Sequence, residues 1–133
     1  MVREIADEHR ALNRLFATAL KLLEGDASRL EAGDAYEELR EAMESHLAAE
    51  ENLYFPTIWA LLPDFEVRLR AFIRVHHFFR GLLQEIEGLM DSGKVEEATY
   101  VLARLRHEFG RHEGGEEDAL RSLDQEILNT ESR

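Results

Sequence analysis

Two stretches of this chain repeat one pairing of side chains able to bind a metal. His46 is followed four residues later by Glu50, and His112 four residues later by Glu116. Residues four apart on a helix have Cβ atoms roughly 6 Å from each other on one face, so each pair can reach a single small object. All four positions fall in phase with apolar stripes and should be buried. A bare carboxylate in a core is costly and normally takes up a proton unless it gains a strong partner. A metal ion is such a partner. Two further histidines complete the pattern. His9 precedes the first pair and His76 the second, each followed by apolar residues at the same offsets: Leu12, Leu15 and Phe16 after His9, and Phe79, Leu82 and Leu83 after His76. His77 breaks that phase, so His76 is the candidate on its segment. Four imidazoles and two carboxylates exceed the needs of one tetrahedral zinc. They suit two octahedral iron or manganese ions bridged by the carboxylates. Two trivalent irons, two glutamates and an oxo or hydroxo bridge would leave a positive, electrophilic centre.

Such a set needs rigid rods to aim it, and the apolar spacing supplies them. Ile5, His9, Leu12, Leu15, Phe16, Leu20 and Leu23 recur every three or four residues, and Gly25 offers a stop. The stretch EGDASRLEAGD reads as a connection, with or without a helical turn of its own. Asp34 and Glu37 resemble a capping box opening a second helix. Its stripe runs through Leu39, Met43, His46 and Glu50 to Leu53 or Tyr54, until Pro56 kinks or ends it. A third helix is expected from about Asp64 to Met90, with Phe72, His76, Phe79, Leu82, Leu83 and Ile86 on one side. DSGK at 91–94 is a tight turn into a fourth helix carrying Val101, Leu102, Leu105, Phe109, His112, Glu116 and Leu120. The expectation is an all-α, antiparallel up-down-up-down four-helix bundle, formed by residues 1–133 as one domain. Aligning His46 with His112 places Leu39 on Leu105, Met43 on Phe109 and Glu51 on Glu117, so the two halves look alike. Gly114 and Gly115 lie between His112 and Glu116 and could break the helix there, although Ala48 and Ala49 hold the matching positions. Glu51, Glu113, Glu117 and His107 are expected to face water.

The spacing also distinguishes bundle families. Ferritin-like di-iron proteins use Glu-x-x-His, and no histidine here has a glutamate three residues before it. The ordered set His9, His46-x-x-x-Glu50, His76, His112-x-x-x-Glu116, with the EENLYFP continuation, instead resembles the hemerythrin-like family, also called the HHE cation-binding domain. The resemblance spans essentially the whole chain. It implies a non-haem di-iron site in a four-helix bundle, where His9 and His46 hold one iron, His76 and His112 the other, and Glu50 and Glu116 bridge. It further implies binding or sensing of O2, or reaction with peroxide or NO. Oxygen-carrying members have a His-x-x-x-His pair on the third helix and an Asp after the fourth-helix His. Here Phe72 and Arg80 flank His76 at that spacing, so the fifth histidine is missing. That departure puts reversible oxygen carriage in doubt and leaves room for peroxide, NO or another ligand. Tyr54, four residues past Glu50, is expected on the same face; it is most simply a core or boundary tyrosine, and the alternative is a phenol that hydrogen-bonds a bound molecule or ligates iron.

Composition narrows the alternatives. Of 133 residues 44% are hydrophobic and 33% charged, which fits a folded globular chain. The absence of cysteine removes disulfides, iron–sulfur clusters and thiolate zinc sites. A net charge of -12 argues against nucleic-acid and anionic-membrane partners. No apolar run approaches the roughly 20 residues of a bilayer span, and the first ten residues lack a signal-peptide centre, so a cytoplasmic location is expected. No phosphate loop or nucleophile elbow is present. Two other readings compete: an iron sensor or store in which metal occupancy itself is the signal, and a metal-free acidic helical interaction module with a histidine network in its core.

Overall fold

The computed structural model describes residues 2–25 and 28–131. Helix α1 (Val2–Glu24) is followed by α2 (Arg29–Ala49), a π-helical turn (Glu50–Tyr54), α3 (Phe55–Leu61), a 3-10 turn (Pro63–Phe65), α4 (Glu66–Asp91) and α5 (Val95–Glu131). The π turn keeps right-handed helical angles at both ends, so α2, the turn and α3 run on as one rod. Four rods result. α1 lies along both α2 and α5, α4 lies along α5, and α2 closes the ring against α4 over a shorter length. Short connections make neighbours antiparallel, giving the up-down-up-down bundle expected from the spacing. No strand occurs among the described residues, and none of their helices is long and apolar enough to cross a membrane.

Helix ends follow local chemistry. α2 begins five residues before Asp34, because the Ser28 hydroxyl accepts the Glu31 N–H at 3.1 Å and caps the helix there. Leu30 in its first turn is exposed, which is why the apolar stripe gave no sign of that start. Part of the EGDASRLEAGD connection, Asp26 and Ala27, lies outside the described residues. α4 ends in a Schellman turn. Lys94 N–H reaches Leu89 C=O at 2.8 Å and Gly93 N–H reaches Met90 C=O at 3.0 Å. Gly93 has φ +74°, the left-handed conformation this turn demands. α5 passes through Gly114 and Gly115 unbroken.

Two apolar clusters fill the bundle. The larger contains Leu12, Phe16, Leu39, Met43, Phe79, Leu102, Leu105 and Phe109. Tyr36 belongs to it, and its hydroxyl donates to Leu83 C=O at 2.6 Å, tying α2 to α4. The smaller contains Ile5, Phe55, Ile58, Leu69, Leu120 and Leu123. Between them sits a polar layer at one level of all four rods: His9, His46, Glu50, His76 and Glu116 are buried, and His112 nearly so.

Candidate metal centre

Each rod delivers its share of this layer by helical phase. On α1, Ile5 and Leu12 are buried one turn either side of His9. On α5, Phe109 and Leu120 bracket His112 and Glu116. Apolar packing above and below therefore fixes the height and rotation at which the polar groups point inward.

The six side chains converge. His46 Nε2 lies 2.9 Å from Glu50 Oε1, and His76 Nε2 lies 3.5 Å from the same oxygen. His112 Nε2 is 3.0 Å from Glu116 Oε2, while His9 Nε2 is 3.6 Å from Glu116 Oε1. His9 Nε2 and His46 Nε2 are themselves 3.1 Å apart. Each carboxylate thus stands between two imidazoles from different rods. Two overlapping groups form, one of His9, His46, Glu50 and Glu116, the other of His76, His112 and Glu116, with ligand atoms inside each within 4.8 Å of one another.

These approaches are short without satisfying the atoms. Both oxygens of Glu50, both of Glu116, and the Nε2 atoms of His76 and His112 are buried with no hydrogen-bond partner. Native interiors rarely tolerate such groups, since each costs on the order of 1–3 kcal/mol when unsatisfied and more when charged. Protons alone compose them poorly. Burial, aided by the nearness and charge of Glu116, pushes the Glu50 carboxyl up to about 12. Burial also works to raise Glu116, but the close approach of His112, His9 and Glu50 outweighs it and holds that group below the usual carboxylate range. Burial pushes His76 down to about 4, against the pull of Glu51, and lowers His46 against that of Glu8. Imidazoles whose charged form is disfavoured at His46 and His76, beside two inward carboxyl groups whose oxygens lack hydrogen-bond partners, are a donor set for cations.

The outward ring nitrogens of His46 and His76 are held by carboxylates, and that of His9 faces two at longer range. His46 Nδ1 lies 2.7 Å from Glu8 Oε2, and His76 Nδ1 lies 2.7 Å from Glu51 Oε2. His9 Nδ1 lies 3.5 Å from Glu113 Oε2 and 3.9 Å from Glu117 Oε2. A ring N–H given to an outer carboxylate leaves Nε2 as the lone-pair nitrogen and fixes the ring plane. Arg80 braces Glu51, donating from Nη1 at 2.8 Å and Nη2 at 3.1 Å. Burial raises Glu51, yet Arg80 and His76 together bring it below its ordinary range.

Glu51, Glu113 and Glu117 are therefore half-buried supports rather than solvent-facing residues. A sequence signal existed, because Glu8 adjoins His9, Glu51 adjoins Glu50 and Glu113 adjoins His112. Neighbours on a helix point about 100° apart, so which rod each would serve was not readable from adjacency. His77 and His107 are exposed, away from the cluster.

The π turn changes the reading of Tyr54. Phe55 N–H bonds Glu50 C=O, five residues back, so the turn holds one residue more than an α turn. Phe55 takes the buried position below Glu50, and its ring stacks on His76 with centroids 5.7 Å apart. Tyr54 is rotated to the boundary and packs on the smaller apolar cluster. Burial, with the charges of Glu8, Glu4 and Glu50, raises its phenol. Pro56 explains why the turn widens here: it has no N–H, and its ring crowds the carbonyl one turn earlier. Phenyl rings wall the layer, with Phe109 edge-on to His9 at 5.6 Å and Phe72 and Phe79 edge-on to His112 at 5.4 Å.

Comparison with known proteins agrees with this architecture. A family model described as the hemerythrin HHE cation binding domain matches residues 1–123. Searches of curated proteins and of solved structures found no match.

Proposed function

Because the chain belongs to the hemerythrin HHE cation-binding family, we propose that His9, His46, Glu50, His76, His112 and Glu116 hold two iron ions, and that the protein binds or senses O2, or reacts with peroxide or NO. The observation that carries this reading is the buried set of carboxylate oxygens and imidazole nitrogens that find no hydrogen-bond partner yet face one shared space. A metal-free interaction module gives no reason for two carboxylates to stay there.

On this reading His9 and His46 would hold one ion and His76 and His112 the other, with Glu50 and Glu116 shared between them. Bound there, an iron pair supplies redox change and open coordination for a small molecule. The chain does the rest. Glu8 and Glu51 accept the outer N–H of His46 and His76 and keep each Nε2 lone pair inward. Phe55, Phe72, Phe79 and Phe109 exclude bulk water and favour small, weakly polar molecules over large or charged ones. Residue 80 is an arginine committed to Glu51 and Glu44 rather than a fifth imidazole, which favours reactive turnover over stable oxygen carriage.

The test is metal analysis of protein from iron-supplemented cells, with optical spectra after anaerobic reduction and exposure to O2, H2O2 or NO. Two irons per chain and a spectral response to one of these molecules are expected, with loss of iron in His46→Ala and Glu116→Ala. A folded wild-type protein that takes up no metal would overturn the reading. Circular dichroism of metal-free and loaded forms separates a standing site from one whose filling switches the fold.

A further inference from the structure

The two halves of the layer differ in what stands behind the imidazoles. Behind His46 is Glu8, and beside the outer nitrogen of His9 are Glu113 and Glu117. Among the described residues, no Lys or Arg makes an ion pair with any of these three carboxylates, and besides His9 it is the neutral amide of Asn13 that meets Glu113, at 2.9 Å. Behind His76 the arrangement is different. Glu51 holds the ring, but the Arg80 guanidinium grips both Glu51 oxygens and also reaches Glu44 Oε2 at 3.3 Å. One half therefore faces three uncompensated carboxylates, the other a carboxylate already neutralised by a cation. The inner groups are uneven in the same sense: four residues gather on the His9–His46 side and three on the His76–His112 side.

Resting on the two-ion reading above, we propose that the halves are unequal in affinity, that the His9–His46 half fills first, and that Arg80 is the positioning residue that sets the difference. A divalent ion beside His76 is repelled by the guanidinium, and Glu51, shared with Arg80, polarises the His76 ring less than Glu8 polarises His46. Both effects weaken the second step. Changes in outer partners of ligating histidines typically alter metal affinity by about 10–100-fold, which is the scale of the expected gap. The chain would then have a stable singly loaded form, with the His76–His112 half exchanging its ion more readily.

The experiment is an anaerobic calorimetric titration of the full metal-free chain with Mn2+, followed in parallel by electron paramagnetic resonance, which tells isolated from paired Mn2+. The wild type should bind in two steps at least tenfold apart and give mainly isolated Mn2+ at one equivalent. Arg80→Gln should tighten the second step on the order of tenfold and merge the two, while Arg80→Lys, which keeps the charge, should stay close to wild type. Glu8→Gln should weaken the first step by about 10–100-fold and narrow the gap from the other side. Melting of each metal-free variant checks folding, and damage to the bundle would weaken both steps together rather than one. Two equal steps in the wild type, or an unchanged second step in folded Arg80→Gln, would overturn the inference and leave the two-ion reading standing. Binding of no ion, or of only one at saturation, would overturn both.

Discussion

Replacing Glu50 with glutamine should make the metal-free protein more stable and the metal-loaded protein less so. Glu50 is 1% exposed, and neither of its oxygens has a hydrogen-bond partner. Its carboxyl is pushed from an ordinary 4.5 up to about 12, first by burial and then by Glu116. Between those two values the folded chain keeps a proton that the unfolded chain has lost. The Glu50 contribution to folding stability therefore falls as pH rises through that window, by about 1.4 kcal/mol per pH unit. By pH 7 the loss is on the order of 3 kcal/mol. Glutamine has nearly the same shape and no proton to take up, so Glu50→Gln should recover most of this, raising the metal-free melting temperature by about 10 °C. The assay is thermal unfolding by circular dichroism with chelator present, from pH 6.5 to 8.5, on the alkaline side of histidine titration in the folded chain and, increasingly, in the unfolded one. The parent should lose stability steadily across that range, and the variant much less. Other titrating groups are common to both proteins, so the difference between them isolates Glu50. Added Fe2+ should stabilise the parent strongly and the variant weakly, reversing their order. A metal-free variant no more stable than the parent, or a parent flat above pH 6.5, would refute the claim that this carboxylate is kept at a cost to the fold.

Three more outcomes are expected. The metal-free parent should be most stable near pH 6.5: below it the two lowered histidines remain neutral in the fold while their unfolded counterparts take up protons, and above it Glu50 dominates; urea unfolding across pH 4.5–8.5 locates the maximum, and stability rising steadily to pH 8.5 would contradict it. Tyr36→Phe should cost about 1 kcal/mol by removing a buried hydrogen bond from α2 to Leu83, measured by urea unfolding, with metal content unchanged. Gly114→Ala and Gly115→Ala should each stabilise α5 by about 1 kcal/mol, because an added Cβ meets nothing within 4 Å; lower melting or lost metal would show that the glycines serve the site.

The cost expected at Glu50 is the kind that marks a functional site. Elsewhere in the bundle, pattern, packing and capping agree. In the central layer they do not, since buried polar atoms lack partners while their outward neighbours are carefully held. Local disagreement of this sort is expected where a ligand, rather than the chain, completes the interactions.

The sequence by itself determined the rods and their inward-facing set. Spacing of three and four residues is a property of one helix, so the phase of His9, His46, Glu50, His76, His112 and Glu116 is legible from each segment alone. The family resemblance rests on that same order, and the family model spans the residues that carry it. What acts between rods was not legible. Glu51 meets His76 and Arg80 of α4, and Glu113 meets His9 and Asn13 of α1; these partners lie far away in sequence, and only packing brings them together. The start of α2 was missed because a serine cap, not an apolar residue, opens it. Tyr54 and Phe55 exchanged roles because one widened turn before Pro56 advances the register by a residue, and a count of four cannot register a turn of five.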